Sequence, residues 1–349
     1  MSERITMSHG AGGTIMQDLI KRYIVAHLGG SGVEVPLEAL DDSAVVDEIV
    51  LKSDSHTVKP LFFPGGDIGR MAISGTVNDI AVMGADPIAL AAGFILEEGF
   101  PIGEFEKIVS SMKETCKEAG VYVVTGDTKV VEKGALDKFV INTSGIGKRS
   151  EALESNIQVV KKYRPFNSRW LLDSNIREGD KLLVSGTVGD HGIAVLSFRE
   201  GYGFDTEVKS DVAPLNKLAK RILMVGGIVK IKDPTRGGLS NALNEWSDKS
   251  KIGILIHEDA VPIGEGVRAA CEMLGIDPLE VGNEGKLVIA TVPGMAEQIL
   301  DELKATPKGK SAAIIGEATH RFDGVVMETA IGGRRIVSAP AGDPVPRIC

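Results

Sequence analysis

Apolar and polar positions along the chain switch repeatedly between the period of a strand and that of a helix. Residues 41–54, DDSAVVDEIVLKSD, give two short β-branched runs with acidic ends, which predicts a hairpin or two adjacent strands. Residues 67–84 are apolar at 68, 71, 72, 77, 80, 81 and 83, the spacing of a helix with Asp67 at its N-cap. IALAAGFIL (88–96) reads as a buried strand, and GEFEKIVSSMKETCKEAG (103–120) as an amphipathic helix closed by Gly120. VYVVTGDT (121–128) reads as a strand running into a turn, and FVINTSGIG (139–147) as another strand.

Between 150 and 178 the pattern loosens, with charges, Pro165 and two aromatics, and a boundary is placed near residue 170. A second alternation follows. Strands are expected at 181–188, 226–233, 252–259, 286–292 and 311–318, helices at 190–198, 214–226 and 237–249, and a last hairpin at 325–338 around Gly332-Gly333. APAGDPVPRIC then carries three prolines and no apolar period, which predicts an extended, mobile tail. The expected fold is mixed α/β (α+β), two units of similar size plus a tail, with no residue-level repeat between the halves. A length of 349 residues agrees with two domains at about 150 residues each.

Composition narrows the function. Hydrophobic residues at 43% supply real cores, and 42 glycines predict many tight turns. A net charge of −9 argues against a nucleic-acid surface, although a nucleotide with its own cation is compatible with it. Three cysteines, Cys116, Cys271 and Cys349, form no CxxC pair, and the N-terminus has no apolar signal region, so a reducing, cytoplasmic setting is expected. No apolar run approaches the ~20 residues of a membrane helix.

The candidate chemistry is acidic. Asp41-Asp42, Asp54, Asp67, Asn78-Asp79, Asp127 and Asp233 sit at strand ends or helix starts. Each alone is equally a cap or turn former. Asp79 is the exception, because a carboxylate inside an apolar helix has no capping task and wants a cation. Convergent carboxylates with asparagine suit Mg²⁺, which takes oxygen ligands and bridges to phosphates. Two glycine-rich stretches could receive phosphates: SHGAGGT (8–14), with Gly12 and Gly13, and DPTRGGLSNAL (233–243), with Thr235, Arg236 and Gly237 at a helix start. Neither is a P-loop or a complete GxGxxG. Lys129 shares a strand face with Asp127 and is otherwise a surface lysine. Glu284 is a turn carboxylate or a general base. His191 reads as a helix-start or core residue. Cys349, the last residue, is either an incidental thiol or a reactive handle on a flexible arm.

Taken together, SHGAGG, SDSHTVKPLFFPGGDIG, GTVNDIAVMGADP, TGDTKVV, GTVGDHGIAV, DPTRGGL, NEGKLVIA and the terminal PRIC closely resemble the HypE family, the carbamoyl dehydratases of nickel–iron hydrogenase maturation. The resemblance runs from residue 8 to the end and thins at 150–178. NDIAVMGADP, GDT and DPTRGG are shared with a wider ATP-using superfamily that includes aminoimidazole ribonucleotide synthetase (PurM-like), selenophosphate synthetase and thiamine-monophosphate kinase, whereas PRIC looks like HypE alone. The resemblance implies an N-terminal PurM-like domain over 1–168 that binds ATP and pairs in a homodimer, a C-terminal PurM-like domain over 169–338, and a tail over 339–349. It implies that Asp42, Asp54, Asp79, Asp127 and Asp233 hold Mg²⁺ and ATP phosphates. It implies that Cys349 carries a carbamoyl group from the partner HypF, that ATP-driven dehydration turns this into a thiocyanate, and that the cyanide passes to a HypC–HypD complex. Glu284 would take amide protons and Lys129 would hold the γ-phosphate or the carbamoyl oxygen. The alternatives are a sibling kinase or synthetase with an incidental terminal cysteine, and a non-catalytic scaffold.

Overall fold

The chain is described from a computed structural model that covers residues 4–30, 32–199, 207–342 and 347–349. The first glycine-rich stretch leads into α1 (Thr14–Leu19), a π-helical turn (Ile20–Val25) and α2 (Ala26–Leu28). β1 (Ala44–Val46) and β2 (Ile49–His56) form the expected hairpin, followed by the two-residue strands β3 (Phe62–Phe63) and β4 (Gly66–Asp67). α3 (Ile68–Val82), β5 (Ala85–Glu97), α4 (Ile102–Ala119), β6 (Tyr122–Val131) and β7 (Phe139–Arg149) complete a five-stranded sheet of order β1-β2-β7-β5-β6. Among the described residues of this sheet, only β5 and β6 run parallel.

The local reasons are visible. Asp67 accepts from the N–H groups of Gly69 and Arg70 at 2.7 and 3.0 Å, so it caps α3 as expected. α3 is buried almost all round, as befits a helix apolar on every face, and it packs between α4 and strands β2 and β7. Gly120 ends α4 in the left-handed conformation, φ 80°. β6 departs from expectation. It runs through Gly126-Asp127-Thr128 to Val131 instead of turning there, because its whole length pairs with β5.

The segment after residue 150 is more ordered than its composition suggested. Ser150 accepts from Leu153 N–H at 3.0 Å and caps α5 (Glu151–Tyr163). α5 packs on α7 (Asn216–Val225) and β9 (Ile228–Lys232), with Asn156 bonding both the carbonyl and the N–H of Ile228. In chain order the remaining elements are β8 (Lys181–Val184), α6 (Asp190–Ser197), α7, β9, α8 (Gly238–Ser250), β10 (Gly253–His257), α9 (Glu265–Leu274), β11 (Val288–Thr291), α10 (Ala296–Lys304), β12 (Ala313–Thr319), β13 (Val325–Glu328) and β14 (Arg334–Ile336). They build a seven-stranded sheet of order β14-β13-β10-β12-β8-β11-β9. Among the described residues its one parallel pair is β10 with β13, and β13–β14 is the expected last hairpin.

The tail returns to the body of the protein. Pro340 O accepts from Thr14 N–H at 3.3 Å, and Ile348 is buried. The prolines of the expected tail at 344 and 346 lie outside the described residues.

Candidate functional site

A cleft of about 870 Å³ opens between the two sheets. Its walls come from both: β2 and α3 on one side, the end of β9 and the start of α8 on the other.

Three carboxylates meet in it. Asp42 from the loop before β1, Asp79 from α3 and Asp233 from the end of β9 present oxygen atoms all within 4.8 Å of one another. Asp54 on β2 faces the same space. Between Asp54 and Asp79 stands Lys52, whose Nζ is 3.2 Å from Asp54 Oδ1 and 2.6 Å from Asp79 Oδ2. Asp42 is also held from below, by Lys230 Nζ at 2.7 Å and Lys232 Nζ at 2.8 Å.

Electrostatics set these carboxylates apart. Burial drives Asp79 well above the usual carboxylate range, against the pull of Lys52. Burial, with the charge of Asp42, lifts Asp233 to about 7. Burial would raise Asp42 too, but Lys230 and Lys232 hold it down to about 2. A cation entering beside Asp79 and Asp233 would relieve the cost that burial imposes on them. The donor set is all oxygen, so the residues fit Mg²⁺ rather than a softer ion.

The glycine-rich stretches converge on this cluster. Gly12, Gly13, Thr235 and Arg236 line the cleft. A Cβ on Gly12 would come within 3.0 Å of Arg236 Cβ, so the two stretches touch. Gly13, at φ 56°, lies so close to the tail that a Cβ would stand 1.9 Å from Pro340 O. The N-terminus of α8 opens into the same space, with Arg236 as a guanidinium beside it. Arg236 is held charged first by the negative charge that Cys349 brings at the chain end, with Asp54 and Glu284 adding to it.

Glu284 and Cys349 also line the cleft. Burial and the neighbouring Asp211 carboxylate raise Glu284 well above the ordinary range, so its carboxyl holds a proton far more tightly than an exposed glutamate does. Cys349 is delivered by its two neighbours. Lys59 N–H donates to Arg347 O at 3.1 Å, and Arg347 reaches Asp137 Oδ2 at 2.7 Å. His191 meets Ile348 O at 2.7 Å, and Thr57 Oγ1 donates to Cys349 O at 3.3 Å.

Not every expected residue is here. Asp127 and Lys129 pair with each other at 2.9 Å on the exposed face of β6 and do not line this cleft. The reason is topological: β6 is the edge strand farthest from β2. Asp67 is consumed by capping. Asn78 is buried away from the cleft, where its Nδ2 donates to Ala213 O at 3.1 Å and its Oδ1 accepts from Leu215 N–H at 2.7 Å. A side-chain amide offers both functions and satisfies the chain on both sides of Pro214. Gly237, φ 76°, caps α8.

Sequence reasoning missed Lys52, Lys232 and Lys249, which line the cleft. The signal for Lys52 was the strand period itself, since residues 52, 54 and 56 must share a face. Lys230 and Lys232 in IVKIKD carried another: a lysine in a fully buried strand requires carboxylates nearby.

Known proteins with this architecture identify the family. Residues 40–148 match the AIR synthase related protein N-terminal domain, and residues 177–328 match the AIR synthase related protein C-terminal domain. The chain is 44% identical to the carbamoyl dehydratase HypE of Azotobacter vinelandii over 349 residues, covering 99% of this chain and 97% of that protein. Among solved structures, one of a HypE–HypF complex superimposes with a TM-score of 0.83 at 45% identity, over 92% of this chain and 99% of that one. Another, a hydrogenase maturation protein HypE in complex with ATP, gives 0.78 at 40% identity, over 99% and 100%. With identity at this level sustained across the full length and both domains, the chain belongs to the HypE family of carbamoyl dehydratases.

Proposed function

We propose that this chain dehydrates a carbamoyl group carried on its own Cys349, using ATP bound in the cleft. The observation that carries the reading is that Cys349, Glu284 and the Asp42–Asp79–Asp233 cluster line one cleft. A relative of known structure binds ATP, and that fits the glycine-rich stretches and helix start facing the acidic cluster.

The chemistry assigns each part. A thiocarbamate oxygen is a poor leaving group until it is phosphorylated. Transfer of the γ-phosphoryl from ATP to that oxygen breaks the terminal phosphoanhydride bond and gives ADP and an O-phosphorylated isothiocarbamate still bonded to the Cys349 sulfur. Loss of that oxygen as phosphate, with removal of the two amide protons, forms the nitrile. The net change is thiocarbamate plus ATP to thiocyanate, ADP, phosphate and one proton. Mg²⁺ held by Asp42, Asp79 and Asp233, with Asp54 beside them, would supply charge neutralisation at the phosphates. Arg236 steadies the phosphoryl oxygens as a fork-shaped donor. Glu284, kept basic by burial, takes an amide proton.

Asp127 and Lys129 enter through a second copy. β6 is an edge strand with Tyr122, Val124 and Val130 exposed, a face suited to pairing with another copy of the sheet. In such a homodimer Lys129 and Asp127 reach the partner's cleft. Residues 1–168 then form the ATP-binding and pairing domain, 169–338 the second domain, and 339–349 the carrier tail. HypF is the proposed carbamoyl donor, on the model of a relative solved in complex with it, and HypC–HypD the acceptor of cyanide. No helix among the described residues is long and apolar enough to cross a membrane. A reduced thiol carrier and an ATP requirement favour the cytoplasm.

The test is intact mass after incubation with HypF, carbamoyl phosphate and Mg-ATP, with fragmentation to locate the change. The expected product gains one carbamoyl group on Cys349 and then loses one water. In Asp79→Asn the carbamoyl adduct should persist, with dehydration slowed about a hundredfold or more. An adduct elsewhere, or water loss that ignores Asp79, would overturn the assignment.

A further inference from the structure

We propose that His191 is a positioning residue that latches the tail for dehydration, through a hydrogen-bond relay ending on the backbone carbonyl next to Cys349. The inference rests on the reading of Cys349 as carrier and adds the residue that holds it in the cleft.

The relay has a fixed direction. Ile348 O is 2.7 Å from His191 Nε2, and a carbonyl only accepts, so Nε2 carries the proton. Nδ1, 2.8 Å from Ser210 Oγ, is then the acceptor in the neutral ring, and the serine O–H donates to it. Ser210 Oγ in turn accepts from Val212 N–H at 3.1 Å. One chain of donors therefore runs from the backbone at 212, through Ser210 and His191, to the tail. The ring is fully buried, and Phe63 stands edge-on to it with centroids 5.3 Å apart. These contacts leave the imidazole a single orientation.

The rest of the dock agrees. Ile348 is buried against Gly282, where a Cβ would come within 2.4 Å of Ile348 Cδ1, so the isoleucine fills the space that a larger residue at 282 would take. The carbonyl on one side of Ile348 belongs to Arg347 and accepts from Lys59 N–H and Arg199. With both 347 and 348 held, little freedom remains to Cys349 beyond its own side-chain rotation. Holding the reacting group near its partners is the effect that makes an intramolecular step fast. From the sequence His191 reads as a helix-start or core residue, and it is both, second in α6 and fully buried. Its burial agrees with that, but its second nitrogen points at the tail.

The test reads tail release without using the dehydration chemistry. Cys349 is alkylated with iodoacetamide in the full-length protein and its rate followed by mass spectrometry, with Cys271 as internal reference and thermal melting as a check of folding. His191→Ala should raise the rate at Cys349 about tenfold, the scale of one lost hydrogen bond. His191→Gln, which keeps a donor at the Nε2 position, should restore most of the protection. Ser210→Ala should raise the rate two- to threefold, because it frees the tautomer. If His191→Ala does not fold, Ser210→Ala carries the test alone. An unchanged Cys349 rate in a folded variant, or a glutamine variant as open as the alanine one, overturns the latch. A wild-type protein that shows the latch but never dehydrates its carbamoyl group would leave the latch standing and defeat the carrier reading.

Discussion

At the scale of single residues, Asp79 and Lys52 show what a sequence does and does not disclose. Asp79 was legible because an apolar helix has no use for a carboxylate, and the structure puts it in the acidic cluster. Lys52 was not, because a lone lysine in a strand reads as a solvated surface charge unless the alternation of 52, 54 and 56 is taken with the carboxylates that share its face. Its ammonium bridges Asp54 and Asp79; burial works against its charge, and those two carboxylates outweigh that and hold its proton. Removing it leaves two facing carboxylates with no resident counter-charge. Lys52→Met is expected to destabilise the metal-free protein by about 3 kcal/mol, at the low end for breaking a buried pair because the lysine is partly exposed. Divalent cation should recover a large part of that loss by occupying the vacated position. Melting curves with and without Mg²⁺ decide it. A variant whose melting temperature ignores Mg²⁺ would show that Lys52 and the cation do not share those carboxylates.

At the scale of elements, most of the order was readable and the exceptions have physical causes. The α3 helix, its Asp67 cap and the last hairpin followed from spacing and capping chemistry. α5 was missed although Ser150 and the apolar positions 152, 153, 157 and 160 carried a helical signal, because flanking charges and Pro165 masked it. β6 was cut short because GDT reads as a turn, whereas parallel pairing to β5 keeps the chain extended through it. That extension places Asp127 and Lys129 on a surface, a placement the local sequence could not give because it depends on which strand ends up at the edge. The exposed Tyr122, Val124 and Val130 on β6 are the element-scale basis of the proposed pairing. Val124→Glu is expected to halve the molecular mass in analytical ultracentrifugation and to slow dehydration at least tenfold while leaving monomer folding intact, since Val124 touches no core. A variant that stays at the mass of the wild type would count against pairing through β6.

At the scale of the whole molecule, the two sheets are tied together by buried charge beneath the cleft. Lys230 is fully buried and lies within 3.5, 2.7 and 3.1 Å of Asp41, Asp42 and Asp173. Lys249 adds a contact to Asp173 at 2.7 Å, and Lys232 reaches Glu245 at 2.9 Å. Asp41 and Asp42 come from the segment leading into the first sheet, whereas Lys230 and Lys232 lie on the second, so the network fixes the relation that forms the cleft. Burial opposes ionisation on both sides, yet the lysines hold Asp173 far below its ordinary value, and the aspartates hold Lys230 above its own. The sign follows for each. Asp173 binds its proton less readily when folded, so its contribution is complete above the unfolded carboxylate pKa of about 4 and is lost as pH falls further. Lys230 binds its proton more readily when folded, so its contribution is complete below the unfolded lysine pKa of about 10 and is lost as pH rises beyond it. The Asp173 and Lys230 terms are therefore flat across neutral pH and fail at the acid and alkaline extremes respectively, whereas burial pushes Asp41 the other way, above its ordinary value. Lys230→Met strands Asp41, Asp42 and Asp173 without their central partner and is expected to cost about 3–5 kcal/mol at pH 7. As pH falls from 7 to 4 that penalty should shrink, because in the variant the stranded carboxylates take up protons when folded, whereas Asp173 in the native network resists them. The measurement is the difference in unfolding free energy between the two proteins at pH 7 and pH 4. A gap that holds constant between those values would mean that the lysine contributes packing volume rather than charge, and that the cleft is held by its apolar walls alone.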